Sequence, residues 1–211
     1  MPDGHSRGAL LRLTVFDYGA GNLHSLLKAL EGDGRTLEVE TEPHRLRSAE
    51  LLVLPGVGAF AQAAGRLASA GPELRDALRH GLPCVGVCLG MQLLFESSAE
   101  GGGPGIGLIE GTVERLRARM LPHIGWNRVE SATDPLLGPA GLDLAYFANS
   151  YACRPRDKEC VTAWTTHEND RFPAVVRTAR TIGVQFHPEK SSAAGVRFLR
   201  AAIDAVADGA P

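Results

Sequence analysis

A thiol, an imidazole and a carboxylate can together carry out acyl transfer, and this chain holds a candidate for each. Cys88 sits in the stretch VGVCLGMQLL, where a short apolar run passes into a helix-like pattern between Gly86 and Gly90. A strand, a sharp turn at the nucleophile and a following helix make an elbow, here Gly-Val-Cys-Leu-Gly. Glycines on both sides of the turn let the backbone strain and let strand and helix approach where a Cβ would clash. At a helix start the thiol would meet free N–H groups and the positive dipole end, both of which favour thiolate. From this segment alone a buried structural thiol fits as well, since free cysteine is among the most buried residue types.

A base for Cys88 is found far downstream, in TIGVQFHPEKS at 181–191. His187 stands at the end of an apolar strand-like run, and Pro188 disfavours helix there, which keeps the segment extended. Residues two apart in an extended segment face one side, so His187 and Glu189 can meet. A carboxylate on one ring nitrogen fixes the tautomer and leaves the other nitrogen for the thiol. Taken alone, His187 and Glu189 read more readily as a surface pair at a strand end. A third element is LLVLPGVGAF at 51–60, where a buried run breaks into Pro55-Gly56-Val57-Gly58. Opposite a thiolate that turn can offer backbone N–H groups to an oxyanion, together with the N–H of Leu89. DYGAGN at 17–22 has no third glycine where a dinucleotide fingerprint needs one, because His24 is there.

These groups need strands that end side by side. LRLTVF (11–16), TLEVE (36–40), LLVL (51–54) and PCVGV (83–87) read as strands. Asn22 can cap a helix carrying Leu23, Leu26, Leu27 and Leu30, and helical patterns follow at 59–69, 72–80 and 90–96. This alternation predicts one α/β domain with a mostly parallel central sheet and helices on both faces. The second half carries strand-like pieces at 108–116, 126–130, 144–148, 160–165, 174–178 and 181–186, which predicts an additional antiparallel sheet portion. A last helix is expected at about 191–206, and residues 97–107 are expected to form a flexible loop. A disordered extension is expected over residues 1–10, and the domain itself over 11–207.

Composition narrows the classes. The chain has 211 residues, 44% hydrophobic and 22% charged, with a net charge of −2 and no basic stripe, which argues against nucleic acid as a partner. No apolar run reaches membrane-spanning length and the N-terminus lacks a signal peptide's cleavage pattern, so a cytoplasmic protein is expected. The four cysteines, at 84, 88, 153 and 160, are spaced poorly for zinc, and neither metal nor cofactor is expected.

Taken together, PGVG, GVCLGMQ and HPE resemble the motifs of class I glutamine amidotransferases, over nearly the whole chain. The resemblance implies a flavodoxin-like amidotransferase fold and glutaminase activity, with Cys88 as nucleophile, His187 as base and Glu189 as its orienter. It implies an oxyanion hole near Val57, Gly58 and Leu89, and L-glutamine held by Gln92, Glu100, Ser150 and Tyr151. DYGAGNLHS, PGVGAF, CLGMQLLFESS, PHIGWN and FHPEKS are similar, more narrowly, to the glutaminase subunits of imidazole glycerol phosphate synthases. Those subunits deliver ammonia to a (β/α)8-barrel cyclase subunit, so a heterodimer in histidine biosynthesis is implied, with Trp126, Tyr146 and Lys190 facing the partner. Trp126 fits a core position as well.

One position departs from the pattern: where the family usually has His before Ser/Thr-Tyr, this chain has Asn149, which cannot titrate. Two other readings stay open from sequence. One is the glutaminase subunit of anthranilate or aminodeoxychorismate synthase; the other is a catalytically inactive regulatory subunit on the same fold.

Overall fold

Buried runs in the first half build the centre of the computed structural model, which describes residues 10–19, 21, 23–32 and 34–209. In chain order the first elements are β1 (Leu11–Phe16), α1 (His24–Leu30), β2 (Arg35–Glu40), β3 (Leu51–Leu54), α2 (Phe60–Leu67), α3 (Gly71–Arg79), β4 (Cys84–Val87) and α4 (Leu89–Leu93). Then come β5 (Phe95–Ser98), β6 (Ile109–Arg115), β7 (His123–Arg128), α5 (Leu137–Ala140), β8 (Leu144–Asn149) and β9 (Tyr151–Pro155). The chain closes with β10 (Val161–His167), β11 (Asp170–Thr178), β12 (Thr181–Val184) and α6 (Ser192–Asp208).

The main sheet has seven strands in the order β10-β11-β12-β4-β3-β1-β2. The five from β12 to β2 are parallel, and β11 and β10 extend the β12 edge antiparallel. Every residue of β3, β4 and β12 is buried, as parallel strands covered on both faces require. Alternate side chains go to opposite faces: Val53, Val85 and Val87 join the cluster under α1 and α6, with Phe198, Leu199 and Ile203. Leu52, Leu54 and Cys84 join the other, with Phe60, Leu74 and Met91 of α2, α3 and α4. The expected antiparallel portion is found in three places: β10 and β11 on the main sheet, the β6–β9 pairing of a mixed three-stranded sheet β5-β6-β9, and the two-stranded unit β7–β8.

Several expectations are corrected. The helix predicted over 90–96 ends at Leu93, because the carbonyls of Leu93 and Leu94 are taken by the N–H groups of Ile106 (2.7 Å) and Ile109 (3.0 Å). Phe95 then starts β5, paired parallel with β6. Residues 97–107 are tied down: Ala99 N–H bonds Val113 O at 2.8 Å and Gly105 N–H bonds Glu96 O at 2.9 Å. Two of the glycines there serve close packing: a Cβ on Gly102 would lie 2.0 Å from Ala61 Cα, and one on Gly105 2.1 Å from Phe95 O. β9 was not anticipated, and the strand expected at 126–130 starts earlier, at His123. The cap assigned to Asn22 and the extension over 1–9 lie outside the described residues.

The first connection carries the chain from β1 to β2 at one edge, and β3 then lies on the other side of β1. In open α/β sheets the crevice beyond the carboxyl ends of the strands near such a reversal is where ligands bind. The ends of β3, β4 and β12, three neighbours, lie there.

Candidate active site

Cys88 follows β4 directly and has φ 47° and ψ −101°, a conformation that costs energy for a residue with a side chain. The turn is held from both sides. Cys88 N–H bonds Val184 O on β12 at 2.6 Å, and its own carbonyl accepts from Gln92 N–H at 3.1 Å. A Cβ on Gly90 would stand 2.0 Å from Leu54 O, and one on Gly86 would stand 2.8 Å from the Gly90 carbonyl carbon. These two glycines let α4 press onto β3 and β4 and so fix where the thiol points. Cys88 is 6% exposed, at once packed in the core and open to a cavity.

His187 arrives from β12. Its N–H bonds Tyr146 O at 2.8 Å, and the Ser191 hydroxyl bonds its carbonyl at 2.7 Å. His187 Nδ1 lies 2.8 Å from Glu189 Oε1, and both side chains are buried. They meet differently from the extended segment expected: His187 is extended, but Pro188–Lys190 is a 3-10 turn closed by Lys190 N–H to His187 O at 3.0 Å. Burial alone would lower the His187 pKa; the charge and hydrogen bond of a Cys88 thiolate, with Glu189 behind, outweigh it and raise it to about 10. Gly56, just past β3, separates thiol and ring: its absent Cβ would be 3.0 Å from both Cys88 Cβ and His187 Cε1.

Above Cys88 opens a cavity of about 210 Å³. That is smaller than the ~300–1,000 Å³ of drug-sized sites, so it suits a small molecule. Gly56, Gly58 and Leu89 border it on the thiol side. Gln92, Glu100, Ser150 and Tyr151, the four residues expected to hold substrate, all line it, as does Asn149. Val57, expected in the oxyanion hole, is not among the lining residues; its side chain packs against the core cluster that contains Cys88. Glu100 Oε2 accepts from Phe60 N–H (3.3 Å) at the start of α2, which keeps a carboxylate at the cavity wall. Asn149 Nδ2 donates to Tyr151 O at 3.0 Å, while its buried Oδ1 has no protein partner.

One polar side chain at the thiol was missed. Gln185 is fully buried, and its Nε2 lies 3.4 Å from Cys88 Sγ. The signal was present in the sequence: an amide inside the apolar run 181–186, two residues before His187.

The two-stranded unit β7–β8 turns His123, Ala145 and Phe147 inward and presents the opposite face outward. Trp126 is 54% exposed and stands edge-on to Tyr146, 6.2 Å between ring centres, so it belongs to the surface and not the core. Ile124 and Leu144 extend this apolar face, and Ala148 brings it to the cavity. Lys190 is exposed in the turn beside Glu189.

The family model described as glutamine amidotransferase class-I matches residues 14–204. The chain is 43% identical over 195 residues to the imidazole glycerol phosphate synthase subunit HisH of Nostoc punctiforme, covering 89% of this chain and 92% of that one. It is 42% identical over 207 residues to the HisH subunit of Corynebacterium diphtheriae, covering 92% and 98% of the two chains. A crystal structure described as a glutamine amidotransferase superposes with TM-score 0.70 at 21% identity, over 93% of this chain and 98% of that one. At that identity the likeness speaks for the fold alone.

Proposed function

This chain belongs to the class I glutamine amidotransferases, and on that premise we propose that it is the glutaminase subunit of an imidazole glycerol phosphate synthase. The observation that carries the chemistry is the meeting of Cys88 and His187 across Gly56, with Glu189 on the far side of the ring, beneath a cavity sized for an amino acid.

The thiolate of Cys88 attacks the side-chain amide of L-glutamine. The carbonyl oxygen, becoming an oxyanion, is met by N–H groups at Gly58, Leu89 and Val57; one such donor typically accounts for ~3–4 kcal/mol of transition-state stabilisation. His187, protonated and steadied by Glu189, gives its proton to the departing ammonia. Water, activated by the now neutral ring, resolves the thioester to glutamate. Glu100 suits the substrate's α-ammonium group by charge. Gln92, Ser150, Tyr151 and Asn149 fix the remainder.

Ammonia released into bulk water at neutral pH would be protonated and useless as a nucleophile. The proposal therefore includes a cyclase partner, a (β/α)8 barrel, docked on the face of Trp126, Tyr146 and Lys190. The apolar continuity from Trp126 to Ala148 at the cavity supports it. Residues 11–207 form the single amidotransferase unit, working in the cytoplasm, where the Cys88 thiol stays reduced. The anthranilate or aminodeoxychorismate alternative is not favoured, because relatives at about 40% identity across 95% of the chain carry the imidazole glycerol phosphate synthase name.

The test is to pair the chain with a cyclase subunit or with a chorismate-using synthase and follow glutamine-dependent product. Imidazole glycerol phosphate from the first pair alone is expected. Glutamine-dependent anthranilate or aminodeoxychorismate from the second would overturn the assignment.

A further inference from the structure

We infer that Gln185 is a catalytic residue in its own right: its side-chain amide donates a hydrogen bond to the sulfur of Cys88 and holds it as thiolate. The inference rests on Cys88 being the nucleophile. Gln185 is the first residue past β12 and His187 the third, so the short segment that leaves this strand carries both the amide and the imidazole. Its Nε2 is 3.4 Å from Cys88 Sγ, within reach for so large an acceptor.

The direction of the amide is forced by its neighbours. Tyr151 O is a backbone carbonyl and can only accept, so the Gln92 atom 3.1 Å from it must be the NH2 group. That NH2 group also lies 3.2 Å from Gln185, which must then present its carbonyl oxygen. With Oε1 committed to Gln92, the NH2 of Gln185 faces Cys88. A sulfur is a weak acceptor as a thiol and a stronger one as a thiolate, so this donor favours the charged form. Gln185 is 0% exposed, so its amide is shielded from bulk solvent. The chain Tyr151–Gln92–Gln185–Cys88 also joins the substrate cavity to the nucleophile.

The test follows alkylation of Cys88 by iodoacetamide as a function of pH, with the modified peptide identified by mass spectrometry so that Cys160 does not contribute. Gln185→Met keeps the length and removes the donor; Gln185→Glu replaces it with a carboxylate facing the sulfur. The midpoint is expected to rise by about one pH unit in Gln185→Met, roughly tenfold less thiolate below it, and further in Gln185→Glu. In the cyclase complex kcat should fall by a similar factor with KM for glutamine little changed. Circular dichroism selects variants that are folded, and either one suffices. A folded variant whose midpoint matches wild type overturns the inference. If wild type releases no glutamate and yet the midpoint still shifts, the functional assignment fails and the thiolate contact stands.

Discussion

Gly56→Ala adds one methyl group where the thiol and the imidazole come together. The new Cβ would sit 3.0 Å from Cys88 Cβ, 3.0 Å from His187 Cε1 and 3.0 Å from Val87 O. Unstrained carbon contacts lie at ~3.5–4.0 Å, so each reacting side chain must retreat by ~0.5–1 Å. Val87 O belongs to the backbone of β4 and yields little, which leaves Cys88 and His187 to move. A misplacement near 1 Å costs on the order of 10²-fold in rate, so kcat should fall about 10- to 100-fold, or ~1.4–2.7 kcal/mol in the barrier. Overpacking also lowers stability, by ~1–3 kcal/mol. Initial rates of glutamate release in the liganded cyclase complex, over a range of glutamine concentrations, measure the first effect, and urea denaturation measures the second. A folded Gly56→Ala enzyme with kcat within twofold of wild type would refute the view that this glycine sets the thiol–imidazole approach.

Gly65 lies inside α2 with nothing within 4 Å of its Cβ position, so Gly65→Ala should stabilise the chain by ~0.5–1 kcal/mol, read as a higher urea midpoint with unchanged activity. His187 keeps its proton to about pH 10, so glutaminase activity should persist on the alkaline side and fall as pH rises through about 10, where ammonia loses its proton donor. Glu189 raises that pKa, so Glu189→Gln should move the alkaline limb to lower pH; a pH–rate profile with an unmoved limb would contradict the orienting role. Trp126→Ala removes the largest exposed ring of the β7–β8 unit and should weaken cyclase binding by ~2 kcal/mol, about 30-fold, in a titration by calorimetry, with little change in the urea midpoint.

The parts of this fold legible in the sequence are those written as continuous burial. Leu51–Leu54 has the expected bounds because it is buried as an unbroken apolar run, and Leu11–Phe16 because its last four residues, Leu13–Phe16, are buried together. Cys88 and His187 were legible because each is a reactive type placed at the end of such a run. Tertiary context decided the rest. Phe95 leaves the helix because residues 106 and 109 capture the carbonyls before it, contacts invisible in the local pattern. Gly102 and Gly105 resemble slack loop glycines by composition, and only the proximity of Ala61 and Phe95 explains them. Gln185 looked like one polar residue inside a core strand until Gln92 and Cys88, both remote in sequence, closed around it.

The central claim is that Cys88 is the thiol that takes glutamine apart. It is tested most directly by glutamate release from the chain–cyclase complex, wild type against Cys88→Ala, with product formation also followed when ammonium replaces glutamine. Wild type should release glutamate and form product from either nitrogen source; Cys88→Ala should release none from glutamine and still form product from ammonium. Glutamate release by Cys88→Ala at the wild-type rate would contradict the account.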